Sequence, residues 1–181
     1  MWEMDSALFP SPSADFDHPL DILDGCHGRI RRQCALLRKL AAHVRFKGTD
    51  GEAKDVATFL LRFFDTSAAN HHRDEEDDLF PALEHFAPSL ELNAVRALLF
   101  RLRADHRNLE KRWADMRRRL EGGEGGLTEE LAERFEDTYL RHIELEEREL
   151  LPLARRVLPT DAVSRLGKSM SRRRGVSQKA A

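Results

Sequence analysis

The sequence predicts an all-α protein, an up-down-up-down four-helix bundle. Three observations predict it. Apolar residues recur at spacings of three and four along four long segments. Short runs rich in Gly, Pro and Asp separate those segments. Val, Ile and Tyr are scarce, which leaves little to build a sheet from. The 181 residues are enough for one domain with a real core. Charged residues make up 34% of the chain, yet the net charge is only −2. That balance suits helices with ion-paired outer faces, and it supplies no global field to draw nucleic acid or a membrane surface.

Residues 1–19 read as an extended arm whose Trp2, Phe9 and Phe16 are available to pack on the bundle. Residues 20–158 read as the bundle and 159–181 as a short helix with a basic flexible tail. The first helix is expected from Asp21 to Val44, with Leu23, His27, Ile30, Cys34, Leu37, Ala41 and Val44 on its inner line. The Lys47–Gly51 stretch is the turn. The second helix is expected from Glu52 to Ala82, along Val56, Leu60, Phe64, Ala68, His71 and Glu75, with Pro81 as the residue that kinks or stops it. Pro88-Ser89 opens the third, whose line is Leu92, Val95, Leu99, Leu102, His106, Leu109, Trp113, Met116 and Leu120. After a Gly-rich linker Thr128 caps the fourth, with Leu131, Phe135, Tyr139, His142, Glu146, Leu150 and Leu153 inside. A further helical piece is expected from Thr160 to Met170. Arg172, Arg173, Arg174 and Lys179 follow without a local acidic partner, which predicts a mobile end.

The chain repeats itself. His71-His72-Arg73-Asp74-Glu75-Glu76-Asp77-Asp78-Leu79-Phe80-Pro81 and His142-Ile143-Glu144-Leu145-Glu146-Glu147-Arg148-Glu149-Leu150-Leu151-Pro152 agree at His, two Glu, Leu and Pro. A His and a Glu four residues apart on a helix differ by about 40° in direction and about 6 Å in height, so both can reach one metal centre. The first and third helices each add one central His, His27 and His106. One His on an apolar face is ordinarily a core residue. Four at mid-bundle, two of them paired with a Glu on the same apolar face, are not ordinary. Burying those carboxylates unpartnered costs several kcal/mol. The expected metal ligands are therefore His27, His71, Glu75, His106, His142 and Glu146. Four imidazoles and two carboxylates point to iron first, then manganese or zinc, and away from calcium and magnesium.

The other candidates sort by direction and height. His18, His43 and His85 fall away from the site, and His72 lies about 100° from His71, at the rim or between helices. Glu110, four residues after His106, is an extra ligand or a surface ion pair with Arg107 or Arg103. Glu147 is an alternative to Glu146. Cys26 and Cys34 are about 12 Å apart on one helix, too far for a disulfide, and read as free thiols in a reducing compartment. No secretory signal or ~20-residue apolar span is visible, so the expected location is cytoplasmic.

Cys26-His27-Gly28-Arg29-Ile30, the two repeated segments, Asp105-His106 and Leu166-Gly167-Lys168-Ser169-Met170 together resemble the hemerythrin-like HHE cation-binding family over nearly all of the chain after the arm. The resemblance implies a four-helix bundle holding two irons, bridged by an oxo or hydroxo group, that binds dioxygen. By position it assigns the same six ligands. Oxygen-carrying hemerythrins have a fifth His where this chain has Glu110, and their fourth-helix carboxylate falls where it has Glu147. Those departures point to the divergent bacterial members and to oxygen, iron or nitric oxide sensing, storage or handling. Consumption of peroxide or nitric oxide is the enzymatic alternative, with Tyr139, His72 and Glu110 as proton donors. A third reading is an interaction module whose basic tail binds a partner. The expected partners are small ligands such as dioxygen, peroxide or nitric oxide, without nucleic acid or membrane, and a homodimer is compatible with the pattern.

Overall fold

The computed structural model describes residues 16–122 and 126–176, and every regular element among them is helical. Helix α1 is Pro19–Lys47, α2 residues 51–86, α3 Leu92–Leu120, α4 residues 129–157 and α5 Thr160–Arg173. The first four form the bundle. α1 packs against α2 and α4, and α3 packs against the same two from the other side. Connections of a few residues make sequence neighbours antiparallel. Among the described residues no helix is long and apolar enough to cross a membrane.

Local chemistry sets the ends. The Asp50 carboxylate accepts a hydrogen bond from the Ala53 amide at 2.8 Å, and the Thr128 hydroxyl accepts one from the Leu131 amide at 3.3 Å. Each satisfies an amide that the first turn leaves open. Gly48, at φ 78°, ends α1 in a conformation that side chains with a Cβ disfavour.

The long helices are not uniform. α2 widens to a π-helix at Phe64–Ala68 and again at Asp74–Leu79, and α4 does so at Glu146–Leu150. Pro81 and Pro152 each fall in the first turn after such a segment. There a missing N–H costs little, because the widened turn has already interrupted the ladder. That is why Pro81 does not stop the helix, which runs on to Phe86.

The interior has three layers. One apolar cluster holds Ile30, Leu37, Leu60, Phe63, Phe64, Met116, Phe135 and Tyr139. The other holds Leu23, Leu79, Phe80, Leu83, Leu99, Leu102, Leu150 and Met170. Between them lie His27, His71, Glu75, His106, His142 and Glu146, each at most 2% exposed.

The basic end differs from the expected mobile tail. α5 continues to Arg173, and Arg173 and Arg174 pair with the fully buried Asp74, Arg173 also reaching Asp78 at 2.7 Å. The acidic partners lie about a hundred residues earlier, where a local reading does not look. Phe16 of the arm is buried beside α5, and Gly167 makes room for its carbonyl: a Cβ there would stand 1.9 Å from the Phe16 oxygen. Trp2, Phe9 and Lys179 lie outside the described residues.

Candidate metal centre

Each long helix presents its ligand residue to the bundle axis at one level. His27 comes from α1, His71 and Glu75 from α2, His106 from α3, and His142 and Glu146 from α4. Glu75 lies inside one π segment and Glu146 opens another. A widened turn re-aims side chains off the 3.6-residue stripe, and such bulges recur at functional sites.

The six residues form two pockets. His27, His71, Glu75 and Glu146 make one, and Glu75, His106, His142 and Glu146 make the other, with all ligand atoms of a pocket within 4.8 Å of one another. Both carboxylates belong to both pockets. Glu146 Oε2 lies 3.1 Å from His27 Nε2, and its Oε1 lies 3.0 Å from His142 Nε2. Glu75 faces His71 at 3.6 Å through Oε1 and His106 at 3.4 Å through Oε2. His106 Nε2 and His142 Nε2 are 3.1 Å apart. Two ligands at right angles on a metal with bonds of about 2.1 Å stand about 3 Å apart, so these separations match the edge of a coordination shell.

The polar accounting tests the fit independently. His27 Nε2, His71 Nε2 and both carboxylate oxygens of Glu75 and Glu146 are buried and make no hydrogen bond. Unsatisfied buried groups are rare in native structures and need a cause. Here they converge from three helices, α1, α2 and α4, and two cations between them would satisfy all of them. The residues fit metal cations, which four imidazoles and two carboxylates would hold.

Two of the outward nitrogens are held as well. His106 Nδ1 lies 2.6 Å from Glu76 Oε1, and His27 Nδ1 lies 3.2 Å from Glu147 Oε1. Glu147 is in turn gripped by both Nη atoms of Arg31, at 2.7 and 2.8 Å. Asp105 stands 4.0 Å from His142 Nδ1, in range of its charge but beyond a hydrogen bond. The Cys26 thiol lies beside His71. Carboxylates behind imidazoles fix the tautomer and raise basicity toward a metal.

The fields follow. The His106 hydrogen bond holds the Glu76 carboxyl below its usual range, and the Arg31 fork does the same for Glu147. Burial pushes Glu146 up, but the imidazoles of His142, His106 and His27 outweigh it and hold that carboxyl well below the usual range. Burial, then the neighbouring His106, hold His72 well below the ordinary imidazole value, which keeps it neutral. Burial raises the Tyr139 phenol well above its usual value.

The structure therefore brings the six expected residues together and separates the alternatives. Glu147 supports His27 from outside, and Glu110 is exposed. His18 and His85 are exposed, while His43 is half-buried against Asp50 at 3.0 Å, not simply in solvent. Cys26 and Cys34 are buried free thiols. His72 lies between helices, as expected of it: it is buried and stacks on His106, with ring centroids 4.1 Å apart and planes 14° apart. Sequence reasoning missed two things. Glu76 is the partner of His106. Asp74 is an anchor for Arg173 and Arg174. The acidic run after His71 carried the signal, but periodicity, which names Glu75, does not say what its neighbours Asp74 and Glu76 pair with.

Residues 18–154 match the hemerythrin HHE cation binding domain. An uncharacterized protein of Haemophilus influenzae is 32% identical over 176 residues, covering 94% of this chain and 98% of its own length. The match runs through all four bundle helices and both shared carboxylates, and the chain belongs to the hemerythrin HHE cation-binding family.

Proposed function

We propose that the chain is a non-haem di-iron protein that binds dioxygen or a related small ligand, for sensing, storage or handling. The observation that carries this reading is the fusion of two pockets through Glu75 and Glu146. Two irons there supply a redox-active centre, and six protein ligands shared between two ions leave coordination positions for a small molecule. The chain's own residues do the rest. Four imidazoles and two carboxylates hold the ions, and Glu76 and Glu147 orient His106 and His27. Phe64, Leu99, Phe135 and Leu150, in the apolar layers on either side, keep bulk water out. Two free buried thiols suit a reducing cytoplasm.

The test is metal content with a visible spectrum, on protein from iron-supplemented cells, before and after azide. About two irons per chain, with near-ultraviolet bands that shift on azide, support the reading. Zinc, or no metal in a folded protein, defeats it. Consumption of peroxide or nitric oxide is the second reading, favoured by the buried His72 imidazole, stacked on His106, and the Tyr139 phenol ring, its centroid 6.0 Å from that of His72. Catalytic peroxide loss that disappears in His142→Ala favours it over binding alone.

A further inference from the structure

The two pockets do not stand in equal surroundings. The His27 and His71 side is backed by the Glu147–Arg31 pair and the Cys26 thiol. On the other side a cavity of about 190 Å³ opens between α2, α3 and α4. Phe64, Leu109 and Trp113 give it apolar walls, and Ala69 is its smallest lining side chain. His72 and Tyr139 lie along it together. His72 also reaches the centre: a nitrogen of His72 lies within 4.8 Å of those of His106 and His142. Its Nε2 is buried and makes no hydrogen bond. The stacked imidazole of His72, its Nε2 without a hydrogen bond, thus belongs both to the cavity lining and to the His106/His142 cluster.

We propose that this cavity admits an uncharged ligand of two to four atoms to the His106/His142 half of the centre, and that His72 is the side chain that hydrogen-bonds it there. The proposal rests on the di-iron reading above. The ligand class follows from size and charge. Glu76, Asp77 and Glu110 line the cavity against one cation, Arg73. Dioxygen, nitric oxide and hydrogen peroxide pass such a field without penalty, whereas an anion is repelled. Half of the lining is apolar or aromatic, Phe64, Ala69, Leu109, Trp113 and Tyr139, and the other half is ionisable, so the walls offer both contact area and orienting polar groups.

The test uses the iron-loaded full chain and two probes. Xenon pressed into crystals is expected between Leu109, His72 and Tyr139. Ala69→Phe should remove that density and slow nitric oxide association at least tenfold, with iron content unchanged, and Ala69→Leu should give an intermediate rate. His72→Leu should speed nitric oxide release about tenfold while leaving its association rate within a factor of three. Glu110→Gln should speed azide association severalfold and leave nitric oxide unaffected. Wild-type association rates in both Ala69 variants, or xenon seated only elsewhere, overturn the proposal and leave the di-iron reading intact. A two-iron protein whose spectrum answers no ligand defeats the functional reading instead, while the xenon position still decides whether the cavity is a gas-accessible site.

Discussion

Both oxygens of Glu146 face imidazoles contributed by all four bundle helices: His27 and His71 on Oε2, His106 and His142 on Oε1. Among the described residues no other carboxylate pairs with all four. Glu146→Gln should therefore empty both pockets, whereas His27→Ala, which damages one, should leave up to one ion per chain by elemental analysis. Glu147→Gln acts at one remove. It loosens the imidazole of His27 without deleting a ligand, and should weaken metal affinity about 10- to 100-fold in a chelator competition. At this scale much was legible. A histidine in each apolar stripe, at a common level, needs only the helical period to be seen. The four-residue offset from His71 and His142 also named Glu75 and Glu146. What was not legible is that their neighbours Glu76 and Glu147 turn back to hold His106 and His27, or that π segments interrupt the helices there, since these leave no mark in composition.

Among the elements, α5 has the least expected role. It lies beyond the 18–154 match, yet its last turn clamps the π segment that bears Glu75, through Asp74. Asp74 is fully buried, and removing its charge leaves Arg174 without its carboxylate partner and Arg173 with Asp78 and Asp77 alone. Asp74→Asn should cost about 3–5 kcal/mol of stability in denaturant unfolding. The exposed Arg134–Glu130 pair should give almost nothing when broken. Gly167→Ala is a second check on the same helix. Alanine favours helix by about 1 kcal/mol over glycine, but its Cβ would collide with the Phe16 backbone. The collision wins, and the melting temperature should fall. Neither contact is visible to a local reading, since each joins residues about 100 to 150 positions apart.

For the molecule as a whole, the helix count, their order and their inner faces followed from spacing alone, because amphipathic helices with short connections have few ways to pack. Metal removal should be felt globally. An ion that binds only the folded chain stabilises it by about 2.7 kcal/mol at a hundredfold excess over Kd. Chelation should lower the melting temperature and re-addition of iron should restore it. A chain whose melting temperature ignores chelator would show that the buried carboxylates find other partners.

The polar layer cuts the apolar interior in two. With ions in place, the six ligands weld the ends of the bundle into one cooperative unit. Without them, the middle of every long helix is a band of mutually repelling or thirsty groups, and each end keeps only its own core. Amide exchange in the metal-free protein should then separate into two populations, one around Leu60 and Phe135 and one around Leu83 and Leu99, opening with different free energies. In the iron-loaded protein they should open together. On that account the centre is also a seam, and loss of metal would be a change in the protein's mechanical continuity that a protease can read.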